Sequence, residues 1–380
     1  MLPTCSTIPR VLIADDQPDL LDALRLLLKG AAIQMEAVTS PEAVVAAVES
    51  GAYDLLLMDL NYTTDTTSGR EGIDLLSRVQ RLDPLLPVVA MTGWGSVDLA
   101  VDIMRRGVRD FVQKPWDNQQ LLATVGAEIA RGRAARDHHA QEQREMDEAR
   151  RIQRKLLPAT VPHVDGWEIA TSWQPAAGVG GDCFDLLSFG ATRLAISISD
   201  VVGKGIPAAL LMSSLQATVR AFASDAAVPA ELCQQVNRIL CGHIAEGRFI
   251  SFCYCALDST TGLLAYSNAG HCQPILVRAG GEVERLARGG PVLGVLPLAT
   301  YEQGVVATSS GDRVILFTDG ITEARDCGGE AFGEERLVDL AVTHRACSAP
   351  VLQARLTEAV AGFAGAAFQD DATLVVLAAD

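Results

Sequence analysis

Val11-Leu12-Ile13-Ala14 runs straight into Asp15-Asp16, and the same join recurs where Leu55-Leu56-Leu57-Met58 meets Asp59. Pro87 to Met91 is followed by Thr92, and Phe111 to Gln113 by Lys114. The longer of these runs show no alternation of polar and apolar residues and are too short for helices, so they read as strands buried on both faces. Ile33 to Val38 adds a fifth run. Helical stretches separate them: leucines at 20, 21, 24, 27 and 28 follow Asp19, and Ser40-Pro41-Glu42 supplies an N-cap and a first-turn proline for a helix over 43–49. Alternating strand and helix over residues 9–125 predicts an α/β doubly wound domain around a parallel sheet.

The positions of the polar residues carry the functional information. In an open parallel sheet the carboxyl ends of the strands line one crevice, where ligands bind. Asp15, Asp16, Asp59, Thr92 and Lys114 would meet there. Two carboxylates ~4 Å apart at an effective dielectric near 20 repel by about 4 kcal/mol. A divalent cation with oxygen ligands relieves that repulsion, and Mg²⁺ suits it.

Asp15-Asp16, Asp59, Thr92 and Lys114-Pro115 together resemble the receiver domain of two-component response regulators. The resemblance implies that Asp59 is the nucleophile that accepts a phosphoryl group from a sensor histidine kinase. It implies that Asp15, Asp16, Asp59 and the Asn61 carbonyl hold Mg²⁺, and that Thr92 and Lys114 contact the phosphate. Phe111 matches the switch aromatic. One departure is the long Thr/Ser-rich loop from Asn61 to Gly72, where receiver domains usually carry a short Pro/Gly turn. That loop bears on access to Asp59 and on phosphate lifetime.

Between Trp116 and Trp167 there is no aromatic residue. Leu122, Val125 and Ile129 form one apolar stripe, and Met146, Ala149, Ile152 and Leu156 form another. Around 132–140 the pattern is lost. Residues 126–157 therefore read as a helical linker ending before Pro158, with a coiled coil and a homodimer through it as the expectation.

From Trp167 the texture changes to short strands punctuated by glycine: residues 167–173, 193–199, 249–258, 262–268, 273–278, 313–318 and 373–378. Helical stretches at 206–223 and 229–246 are interposed. Residues 158–380 thus predict an α+β domain, a β-sandwich flanked by helices. Acids again sit at strand boundaries: Asp182, Asp200, Asp319 and the pair Asp370-Asp371.

Six short motifs follow one another in order. They are Val179-Gly-Gly-Asp182, Asp200-Val-Val-Gly-Lys-Gly205, Asn268-Ala-Gly-His271, Gly290-Pro-Val-Leu-Gly294, Phe317-Thr-Asp-Gly-Ile-Thr-Glu-Ala324 and Asp370-Asp-Ala-Thr373. These motifs resemble metal-dependent serine/threonine phosphatases of the protein phosphatase 2C type, in the bacterial branch like stage II sporulation protein E. Ala149, Ile152-Gln153 and Leu156-Leu157-Pro158 resemble the linker helix that often precedes this domain. The resemblance implies two Mn²⁺ or Mg²⁺ ions bridged by Asp200, with Asp182, Asp319 and Asp370 as further ligands and the Val201 carbonyl completing one site. Asp371 is the alternative to Asp370. Such a metal pair lowers the pKa of a shared water toward ~7 for in-line attack on phosphorus. The implied substrate is a phosphorylated anti-anti-sigma factor.

Composition bounds the alternatives. Lys+Arg 31 against Asp+Glu 47 gives −16 over 380 residues, which disfavours a nucleic-acid partner. No run is long and apolar enough for a membrane span, and nine scattered cysteines suit free thiols in the cytoplasm. His271-Cys272, followed after five intervening residues by Arg278, imitates a cysteine-phosphatase signature, but its aliphatic, glycine-free interior predicts a strand rather than a phosphate cradle. The competing function is a non-catalytic adaptor that binds a sigma-factor regulator or delivers a client. The presence of all four acids favours catalysis.

Overall fold

The computed structural model describes residues 8–60, 70–93, 107–176, 178–244, 247–365 and 368–380. The chain divides into two compact units, Met1–Arg144 and Glu145–Asp380.

In the first unit the elements are β1 (Arg10–Ala14), α1 (Pro18–Gly30), β2 (Gln34–Val38), α2 (Pro41–Ser50), β3 (Leu55–Asp59), α3 (Arg70–Leu82), β4 (Val88–Thr92) and β5 (Asp110–Gln113). The strands form one parallel sheet in the order β2-β1-β3-β4-β5. β3 and β4 are buried throughout, as their unbroken apolar runs require. Leu12, Leu56 and Val88 pack on one face with Val44, Leu75 and Val79. Val11, Ile13, Leu55 and Leu57 pack on the other with Leu24, Leu28, Leu121 and Val125. This is the doubly wound α/β architecture expected. Ser40 caps α2, its Oγ accepting from the Ala43 N–H at 3.3 Å.

The helix that the sequence places from 126 begins earlier: α4 runs unbroken over Asn118–Leu156. Its first turns bury Leu121, Val125 and Ile129. The lost apolar pattern in its middle has a polar cause. Arg133 pairs with Asp54 at 2.7 Å and Arg136 with Asp83 at 2.6 Å. At Gly132 a Cβ would lie 2.4 Å from Pro87 Cγ, so only glycine permits that approach.

The second unit contains β6 (Trp167–Gln174), β7 (Cys183–Phe189), β8 (Arg193–Val201), α5 (Ile206–Phe222), α6 (Pro229–Leu240), β9 (Ile250–Asp258), β10 (Leu263–Ala269), β11 (Ile275–Val277), β12 (Val283–Arg285), β13 (Gly289–Gly290), β14 (Gly304–Ala307), β15 (Arg313–Phe317), α7 (Asp319–Thr322), α8 (Glu334–Thr343), α9 (Ala349–Ala364) and β16 (Ala372–Ala379). One sheet has the order β13-β10-β9-β8-β7 with β14 on β10, and the other β12-β11-β15-β16-β6. Ile196 and Ile198 share a core with Leu316, Val375 and Leu377, which joins the two sheets as a sandwich. Met212, Leu215, Leu232 and Val236 bring α5 and α6 into that core, while Leu337, Leu352 and Leu356 bring α8 and α9 against Ile315 and Val376.

Two local expectations fail. α6 stops at Leu240 rather than 246, with Gly242 just beyond it. β7 escapes a reading by apolar runs because Asp185 lies buried in its middle, held by Arg220 at 2.6 Å. Among the described residues no helix is long and apolar enough to cross a membrane.

Candidate functional sites

The carboxyl ends of β1, β3 and β4 and the residue after β5 bring Asp15, Asp59, Thr92 and Lys114 to one edge of the parallel sheet. Ligand oxygens of Asp15, Asp16 and Asp59 lie within 4.8 Å of one another. Lys114 Nζ donates to Asp15 Oδ2 at 2.6 Å and to Asp59 Oδ2 at 2.7 Å. Burial works against the Lys114 charge, but its two carboxylate partners outweigh that and hold it above the ordinary lysine range. One ammonium cannot fully compensate two acids. Burial pushes the Asp15 carboxyl up despite its bond to Lys114, and Asp59 adds repulsion. A compact, oxygen-only, partly uncompensated cluster fits a hard divalent cation. Thr92 Oγ1 is buried with no hydrogen-bond partner among the described residues. Phe111 is 42% exposed, so it is not a core residue. Asn61 lies outside the described residues.

In the second unit four separated segments converge. Asp200 is near the end of β8, Asp182 precedes β7, Asp319 opens α7, and Asp370-Asp371 precede β16. Burial raises Asp200 to about 7, with Asp319, Asp370 and Asp371 adding repulsion. Asp182 is fully buried and is driven well above the carboxylate range by burial and then by Asp200. Asp319 is raised by burial and by its neighbours Glu323 and Asp370. The loops approach because they carry glycine. A Cβ on Gly180 would lie 2.2 Å from Asp371 Oδ2, one on Gly181 2.6 Å from the Val201 carbonyl oxygen, and one on Gly320 1.9 Å from the Asp371 carbonyl oxygen.

The two adjacent acids differ. Asp371 accepts from the Gly181 N–H at 2.6 Å and the Ala176 N–H at 2.9 Å, so both its oxygens fasten the loop that carries Asp182. Asp370 lies 3.1 Å from Lys204 Nζ at a half-exposed position. Mutually repelling, oxygen-only donors suit divalent cations chemically in this unit too, although no three of these described acids bring ligand oxygens within 4.8 Å of one another as the receiver acids do.

The stage II sporulation protein E (SpoIIE) family profile matches residues 190–380, half of the chain, and the response regulator receiver domain profile matches residues 11–126. The chain belongs to the SpoIIE family. Its second unit is a phosphatase domain of the protein phosphatase 2C type, and its first is a response regulator receiver domain. Protein IcfG of Synechocystis is 27% identical over 261 residues, which cover 61% of this chain and 41% of IcfG. Phosphoserine phosphatase RsbU of Bacillus subtilis is 28% identical over 237 residues, which cover 61% of this chain and 69% of RsbU. The SiaA-PP2C domain of Pseudomonas aeruginosa superposes with a TM-score of 0.57 at 22% identity, over 64% of this chain and 99% of that one, a likeness of fold.

In this SpoIIE-family unit several side chains support the acids without having stood out in sequence. Thr318 and Thr373, both fully buried, donate to Asp182 Oδ2 at 2.7 and 2.6 Å. Both lie inside quoted motifs, and a hydroxyl beside an acid was the available signal. Gln153 of α4 is buried and brackets Gly180, donating to its carbonyl at 2.6 Å and accepting its N–H at 3.0 Å. Arg150 donates to the Gly178 carbonyl at 2.8 Å. The decoy resolves as expected: residues 275–277 are strand β11, Arg278 pairs with Asp312 and Glu284, and burial pushes the Cys272 thiol up to about 12. The eight described cysteines are free.

Proposed function

We propose that this chain is a response regulator whose output is hydrolysis of phosphoserine or phosphothreonine on a protein. The observation that carries the reading is the convergence of Asp182, Asp200, Asp319 and Asp370, where burial, with repulsion from Asp319 and Asp370, raises Asp200 to about 7. Asp200, Asp182, Asp319, Asp370 and the Val201 carbonyl would hold two Mn²⁺ or Mg²⁺ ions, with Asp371 as a fastener. When bound, such ions supply Lewis-acid stabilisation of phosphoryl oxygens and lower the pKa of water. Thr318 and Thr373 fix the Asp182 carboxylate, and Asp371 fixes the loop that carries it.

In the receiver domain a sensor histidine kinase would phosphorylate Asp59, with Mg²⁺ held by Asp15, Asp16, Asp59 and Asn61. Thr92 and Lys114 would bind the phosphoryl oxygens, and Phe111 would report the change. Linker pairing in a homodimer would then act on the acid cluster through α4, and the Gln153–Gly180 bracket supports that route. The substrate in this reading is a cytoplasmic anti-anti-sigma factor carrying phosphoserine, which the likeness to a named phosphoserine phosphatase supports.

The test is Mn²⁺-dependent hydrolysis of p-nitrophenyl phosphate by the full chain. Asp200→Ala and Asp319→Ala should each lose on the order of a thousandfold, about 4 kcal/mol of transition-state stabilisation. Binding of a phosphoprotein without turnover would favour an adaptor instead. Equal rates for wild type and Asp59→Ala, with and without beryllofluoride, would reject the coupling.

A further inference from the structure

Arg248 stands just before β9 and is not used by the acid cluster. Val201 pairs with Ile250, and the Val202 N–H donates to the Phe249 carbonyl at 3.1 Å. Continuing that pairing puts Arg248 beside Gly203, where its Nη1 lies 3.7 Å from the position a Cβ would take. Nη1 is buried and has no hydrogen-bond partner among the described residues. The other cation on this loop, Lys204, is already paired with Asp370. Arg248 also lines a cleft of about 530 Å³ with Ile244, Phe249, Gly294 and Val295. Phe249 and Val295 are 37% and 51% exposed.

A buried guanidinium nitrogen left without a partner is costly, and an arriving carboxylate offsets that cost with charge-assisted hydrogen bonds. Gly203 is three residues beyond Asp200, where the chain leaves β8 and turns with a positive φ. We propose that Arg248 is a specificity residue that binds an acidic side chain of the phosphoprotein close in sequence to its phosphoserine. This inference rests on the phosphatase reading. The neighbouring apolar residues would receive the intervening part of the substrate.

The probes are two phosphoserine peptides, one with Asp at each of the three positions on either side of the phosphoserine and one with Asn at all of them. The Mn²⁺-loaded full chain should favour the Asp peptide about tenfold in kcat/KM, as a charged hydrogen bond predicts. Arg248→Gln should bring that ratio to near one, and Arg248→Lys should leave it intermediate. A structural role would lower both peptides together and keep the ratio. Equal kcat/KM in wild type, a ratio that survives Arg248→Gln, or turnover of p-nitrophenyl phosphate with neither peptide accepted would overturn the inference. Failure to turn over p-nitrophenyl phosphate as well would instead strike at the phosphatase reading.

Discussion

In the receiver domain one part-buried ammonium, Lys114, reaches two carboxylates within 2.7 Å. In the phosphatase domain the most buried acid of the cluster, Asp182, has two threonine hydroxyls, and the lysine of that site reaches half-exposed Asp370 and the Gln369 carbonyl. Both clusters are made of oxygen donors at strand ends, yet they are compensated differently. Hydroxyls and backbone N–H groups orient a carboxylate without cancelling its charge. The receiver cluster therefore carries an internal counter-ion, while the phosphatase cluster leaves the need for cations largely unmet.

Exchanging each lysine tests this contrast most strongly. Lys114→Met should destabilise the metal-free receiver domain by about 3–5 kcal/mol, because two buried carboxylates lose their partner. Lys204→Met should cost the phosphatase domain less than about 1 kcal/mol, since its pair is exposed. Urea unfolding of the full chain, following the two transitions separately, measures both. Similar losses in the two variants would break the comparison.

Sequence made the receiver site legible because each buried strand is a pure apolar run that ends in one polar residue, so Asp59 and Thr92 stand out. The phosphatase acids also stood at strand boundaries, but which of them meet was legible only through motifs, since Asp182 and Asp370-Asp371 adjoin strands whose pairing joins distant segments. Asp185 hid β7 by breaking its apolar run with a charge, and its partner Arg220 is 35 residues away. Gln153 was quoted as part of a motif, but its bond to Gly180 depends on how α4 lies against that loop. The polar middle of α4 looked patternless because Arg133 and Arg136 bind acids of the receiver domain rather than an apolar groove.

The threonines sharpen the contrast at a smaller scale. Thr318→Val and Thr373→Val each remove one donor to Asp182 while keeping its shape. Each should weaken Mn²⁺ binding by about 10–100-fold, as loss of a partner that orients a ligand does. Calorimetric titration of the full chain reads this directly. A double variant no weaker than either single one would show that the hydroxyls act as a unit, which their own link supports: the Thr373 N–H donates to Thr318 Oγ1 at 2.9 Å.

His271 gives the smallest and most selective test, because its burial acts on a base instead of an acid. Its Nδ1 lies 2.7 Å from Ser251 Oγ, and burial lowers its pKa from 6.5 to about 4. The unfolded chain takes up a proton between those values while the folded chain does not, so this residue's contribution is present above pH 6.5 and is lost as the pH falls toward 4. The raised Asp200 works in the opposite sense, since its folded form holds a proton that the unfolded form has released. Subtracting His271→Asn from wild type isolates the histidine. Between about pH 6.5 and 5.5 the wild-type phosphatase domain should lose about 1 kcal/mol more than the variant, read from its urea midpoint. Parallel pH profiles would mean that the imidazole is already charged or solvated, and that burial in this domain does not penalise charge as the contrast between the two clusters requires.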